Sequence, residues 1–240
     1  MKDTKTASLG FQMSLDFPMK SYKKVNECLT KHKDSHPIQW RSFGLGWNGV
    51  AYRYRAMTEY DKEFTKSVKS FGNSPQPEVR YEQGRALFGF FVNAVSTIEC
   101  FFYATYCIAS FLKPCDFSIQ DPKALKSVSP ANVEALFKVH FPKDALTTQM
   151  TKCVSEPAHT QIRDMRDVLS HRGMLPRNFY AGGERDGMAT IPINPKDSPD
   201  IWKYDLPITE VTTALYRRWL CDNLTKLSQA TDKFLRNRLK

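Results

Sequence analysis

Apolar residues recur along most of this chain at intervals of three and four, the spacing that gathers side chains on one face of a helix. Met57, Tyr60, Phe64, Val68 and Phe71 keep it across residues 47–71 and predict an amphipathic helix. The run Gly72-Asn73-Ser74-Pro75-Gln76-Pro77 then breaks it. Residues 82–112 are apolar almost all round, through Ala86-Leu87-Phe88-Gly89-Phe90-Phe91-Val92 and again from Cys100 to Ile108. That length would span a bilayer. However, Asn93, Ser96, Thr97 and Glu99 fall at its middle, where a charge costs about 2.5–3.5 kcal/mol on insertion scales. The neighbouring amphipathic stretches also need something apolar to pack on, so the segment is expected at the centre of a bundle rather than in a membrane.

Asp121-Pro122 and Ser129-Pro130 each join a capping residue to a proline suited to the first helical position. They predict two short helices, the second carrying Val133, Leu136, Phe137 and Val139, and a third short segment is expected over 143–154. Glu156-Pro157 opens the next helix, whose Ile162, Met165, Val168 and Leu169 share a face and which Gly173 is placed to end as a left-handed cap. Two extended runs, 177–181 and 188–193, flank a glycine-rich turn and predict a β-hairpin, with Pro192 making its second strand an edge or an irregular one. A last helix over about 208–239 is expected to face Val211, Leu215, Leu220, Leu224, Leu227 and Phe234 inward. The resulting fold class is all-α. Four principal helices form a bundle, with a helical insertion over about 115–154 and the hairpin over about 177–194 before the last helix. Residues 1–45, with one short helix near 21–31, are assigned to an N-terminal extension, and 46–240 to a single domain.

Composition adds a partner class. The 240 residues are 41% hydrophobic, enough for a sizeable core, and carry a formal charge of +10. With a pI near 9.3, polyanions such as RNA are the natural ligands, held electrostatically and released by salt. A soluble surface that happens to be basic accounts for the same charge. The six cysteines form no CxxC pair and are expected as free thiols in a reducing cytosol. Met1-Lys2-Asp3-Thr4-Lys5 leads into polar sequence, so the expected compartment is the cytoplasm. Cys28, His32 and His36 lie four apart, but Lys31 and Lys33 stand between them and no fourth ligand is evident, so neither a metal nor a cofactor is expected.

The densest chemistry lies in residues 161–173. Opposite its apolar face, the helix carries Arg163, Arg166, Asp167, Ser170 and His171. As an ordinary solvated face, these residues would form surface pairs worth a few tenths of a kcal/mol. The string Arg166-Asp167-Val168-Leu169-Ser170-His171, followed by Arg172-Gly173, also resembles the motif of the HEPN superfamily: Arg, a polar residue, a short mostly apolar spacer, and His. The resemblance implies a metal-independent endoribonuclease, such as a toxin or an antiviral defence effector. His171 would be the general acid or base at a ribose 2′-hydroxyl, and Arg166 would neutralise the scissile phosphate. Cleavage would leave a 2′,3′-cyclic phosphate. Asp167, standing where the family more often has Asn, would orient the His171 ring. Arg163, Ser170 and Arg172 are secondary candidates beside the motif. Glu99 is another, because a carboxylate within an apolar helix needs a partner such as Arg163 or Arg166.

Arg166 and His171 are five residues apart, roughly 140° around an ideal helix. Either the helix unwinds at His171, or a second chain completes the site, which favours a homodimer. An antitoxin or defence partner fits the same class. The alternative is a non-catalytic HEPN-like module that binds nucleic acid, nucleotide or a protein.

Overall fold

The computed structural model describes residues 10–72, 75–171, 177–178, 188–192 and 202–239. The fold is a mostly α-helical bundle. The described residues form α1 Met19–Thr30, α2 Pro37–Phe71, α3 Pro77–Leu112, α4 Pro122–Lys126, α5 Pro130–His140, α6 Ala145–Ser155, α7 Pro157–His171 and α8 Glu210–Arg238. Five of these begin at a proline, whose fixed φ suits a first helical position where its missing N–H is not needed. Side-chain caps reinforce the short helices. Asp121 accepts from Lys123 N at 2.9 Å, Ser129 from Asn132 N at 3.3 Å and Asp144 from Leu146 N at 3.0 Å.

The chain divides into two compact units. The first comprises Met1–Arg55, Ser96–His159 and Leu220–Lys240, and the second Ala56–Val95 and Thr160–Trp219. In the first unit, the tyrosine and tryptophan of α1 and α2 lock together. The Tyr22 and Trp47 rings stack at 4.9 Å, Tyr22 Oη donates to Trp47 O at 3.0 Å, and Trp47 Nε1 donates to Tyr22 O at 3.2 Å. Phe17, Val25 and Leu29 are buried in the same unit, so the segment expected as an extension contributes core rather than trailing from it. α2 starts ten residues ahead of its expected bound because Phe43, Trp47 and Val50 already carry the buried stripe. Glycines at 44, 46 and 49 obscured this in the sequence, since glycine disfavours helix interiors. Two of them sit where α2 meets α3. A Cβ on Gly46 would lie 2.7 Å from the Tyr103 ring and 3.1 Å from Ala104 N, and one on Gly49 would lie 2.8 Å from Cys100 Sγ. Phe117, Phe137, Phe141 and Phe234 form a second aromatic cluster, with centroids 5.1–6.1 Å apart, that fastens α5 to the end of α8.

In the second unit, Met57, Phe64, Phe90, Phe91, Ile162 and Met165 are fully buried. Tyr216 joins α8 to α7 by donating its hydroxyl to Gln161 Oε1 at 3.2 Å, while its ring meets Phe91 edge-on at 6.0 Å. Val211 and Leu215 do not face inward as expected: they are 61% and 58% exposed. Ile208, Thr213 and Tyr216 take the buried line instead, because these residues, not Val211 and Leu215, lie in phase with Leu220, Leu224 and Leu227. Between α7 and α8, the short strands β1 Arg177–Asn178, β2 Met188–Pro192 and β3 Trp202–Pro207 pair antiparallel in that order, with an irregularity at Ile191/Pro192. The glycine-rich turn at 182–187 and the cap at Gly173 lie outside the described residues.

α3 is long and apolar enough to cross a membrane, and 67% of its most apolar stretch is buried. Asn93 is buried within it, its amide donating to Gly89 O at 2.7 Å. This back-bond satisfies the polar group internally.

Candidate functional site

Three buried apolar side chains on α7, Ile162, Met165 and Val168, fix which arc of that helix faces out. Leu169, beside them, is half-buried and Ser170 is exposed. On the outer arc the charged residues pair with their immediate neighbours. Arg163 lies 3.6 Å from Asp164, and Arg166 Nε lies 2.7 Å from Asp167 Oδ1. The Arg166 and Asp167 side chains are 25% and 41% exposed. Asp167 was expected to orient His171, whose side chain lies outside the described residues; its carboxylate meets the guanidinium of Arg166. Adjacent residues on a helix do not normally face each other, and the contact forms because the arginine is long enough to fold back along the surface.

The helix remains wound through His171, its last residue. The His171 side chain and residues Arg172 and Gly173 lie outside the described residues. Glu99 is half-buried on α3 in the first unit. There it acts on the Cys100 thiol together with Arg53, whose charge opposes the upward push of burial and of Glu99. Arg163 and Arg166 belong to the second unit.

A second feature escaped the sequence reading. Within the second unit, the latter half of α2 and the first turns of α8 border an open groove of about 840 Å³. Lys62, Lys66 and Lys69 line its α2 side, and Val211, Leu215 and Arg218 its α8 side. All six are exposed. The groove is also lined by a part-buried ion pair: Asp61, 4% exposed at its side chain, is bonded to Arg217 Nη1. Thr209 and Thr212 cap the start of α8 reciprocally, each hydroxyl accepting from the other's backbone N–H at 3.3–3.4 Å. A smaller hollow of about 280 Å³ shares Lys66 and Ser70 and includes Phe71 and Arg85. The lysine spacing of four and three was visible in the sequence. Its significance rests on the exposure of Val211 and Leu215, which an inward-facing start of α8 would not allow.

Among the described residues, no three His, Cys, Asp or Glu side chains are placed to hold a metal ion. His36 Nδ1 lies 3.0 Å from Ser35 Oγ, and its ring packs on Phe111 at 5.3 Å. All six cysteines are free thiols. Burial pushes Cys107 and Cys153 up to about 12, which makes them poor nucleophiles. No protein-family model matches this chain, and no curated protein or solved structure matches it.

Proposed function

We propose that this protein is a metal-independent endoribonuclease of the HEPN type that works as a homodimer. In this reading the bundle and the paired strands before α8 form a HEPN-like domain, and the α7 helices of two protomers face each other. The observation that carries it is the helical course of α7 through His171. Positions 166 and 171 of an ideal helix lie roughly 140° apart, so that a second chain is needed to bring an arginine and a histidine to one phosphate. His171 would take the 2′-hydroxyl proton, and Arg166 would stabilise the charge developing on the phosphate. The charge of +10 supports a polyanionic substrate. A toxin or defence role in the cytoplasm, held in check by a partner, is the setting this chemistry suits.

The test is cleavage of mixed RNAs by the purified protein in EDTA, with end-group analysis for a 2′,3′-cyclic phosphate and the oligomeric state measured in parallel. His171→Ala should lower the rate by roughly 10²–10⁴-fold and Arg166→Ala by roughly 10²–10³-fold, with unchanged circular dichroism. A monomer that binds RNA without cutting it would establish the second reading, a non-catalytic HEPN-like binding module. The Arg166–Asp167 pair favours that reading, because it already answers the arginine's charge from within the same chain.

A further inference from the structure

We propose that the groove between α2 and α8 in the second unit docks an acidic amphipathic helix of a protein partner. The helix would lay its apolar face on Val211 and Leu215 and its carboxylates against Lys62, Lys66, Lys69 and Arg218. Each wall presents residues at i, i+4 and i+7: three lysines on α2, and Val211, Leu215 and Arg218 on α8. Residues so spaced stand in line and span about 10.5 Å of helix axis. The two walls therefore offer matched tracks two turns long, one cationic and one apolar with a cationic end. Such a pair is complementary to a helix that is apolar on one face and acidic beside it, the helix-in-groove mode of recognition.

The charges support the same occupant. Five basic side chains line the groove against Asp61 and Glu210, and Asp61 is buried against Arg217, so the accessible field is positive. A nucleic-acid backbone would use that field but gain nothing from the two exposed aliphatic side chains. Single-stranded nucleic acid binds through aromatic side chains on which bases stack, and none of the described residues that line this groove is aromatic; Phe71 belongs to the adjoining hollow. Exposed apolar residues framed by charge mark protein contact surfaces more than phosphate tracks.

This inference does not depend on cleavage, which would be carried by α7, so the two readings can fail separately. The probe is a fluorescein-labelled helical peptide of roughly five turns, built from leucine at three- and four-residue spacing and glutamate elsewhere. Controls are its scrambled sequence, a lysine-for-glutamate version and labelled oligouridine. Fluorescence anisotropy should show salt-sensitive binding of the acidic amphipathic peptide and not of its scrambled or lysine-for-glutamate versions, while any oligouridine binding survives K62E/K66E. V211S/L215S and K62E/K66E, each checked for folding by circular dichroism, should each weaken it at least tenfold while leaving any RNA cleavage intact. The proposal is overturned if the scramble binds equally, if no peptide binds, or if V211S/L215S is silent. It is equally overturned if oligouridine occupies the groove, shown by loss of its binding in K62E/K66E alone. Protection of Val211 and Leu215 by residues 179–201 of the chain itself, seen by hydrogen exchange or cross-linking, also overturns it.

Discussion

Asp167 governs what Arg166 is able to do. With its Oδ1 2.7 Å from Arg166 Nε, it competes with any phosphate for the guanidinium, and the pair is partly solvated, so the competition is modest. Exposed pairs of this kind are worth about 0.2–1 kcal/mol. Asp167→Asn should therefore raise RNA affinity or cleavage roughly two- to fivefold, measured by anisotropy and single-turnover kinetics at low salt; a fall would mean that Asp167 acts on His171 after all. Six cysteines give a second residue-scale test. Cys115 is exposed, whereas Cys107 and Cys153 are buried and held protonated by that burial. Maleimide at neutral pH should label Cys115 within minutes and leave Cys107 and Cys153 unmodified until denaturant is added, as mass spectrometry of peptides would show. Rapid native labelling at either buried position would contradict the packing around it. The types of these residues were visible in the sequence. The arginine's choice of partner was not, because a side chain's reach depends on rotamers and on which arc of the helix is free.

The helices were largely legible as elements, and their ends and faces less so. Proline and capping residues placed the starts of α4, α5 and α7 because they act on the local backbone. α2 was shortened in the reading because the penalty for glycine is local, whereas the gain at Gly46 comes from Tyr103 and Ala104, more than fifty residues away in sequence. That position carries a prediction. Gly46→Ala should lower stability by about 1–3 kcal/mol in urea titration, despite alanine's better helix propensity, because the new methyl would press on the Ala104 backbone as well as the movable Tyr103 ring. Unchanged or greater stability would mean that α2 and α3 can part slightly without loss. α8 taught the complementary lesson. Val211 and Leu215 lie roughly 140–180° around the helix from Leu220, out of phase with the buried line that Tyr216 holds against Phe91 and Gln161.

At the scale of the whole chain, the buried ionisable groups set a pH limit. Burial pushes Cys107 and Cys153 from 9.0 up to about 12, and burial together with Cys107 pushes Tyr103 from 10.0 up to about 12. Below about pH 9 both folded and unfolded chains hold these protons, so they make no difference. Between about 9 and 12 the unfolded chain releases them while the folded chain does not, so stability must fall with rising pH. Urea midpoints at pH 7, 9 and 10.5 should show a plateau followed by a decline, and a rise above pH 9 would contradict the burial of these groups. By itself the sequence determined the helical class, the order of the helices, the basic character and the polar arc of α7, because periodicity, capping and charge are properties of neighbouring residues; the strand β3 was not foreseen. Only the tertiary structure decided that α1 is part of a core, that Asp167 holds Arg166, and that Val211 and Leu215 share a groove with three lysines of α2. Each of those depends on contacts between distant parts of the chain, and these select among faces and partners that local sequence leaves equivalent.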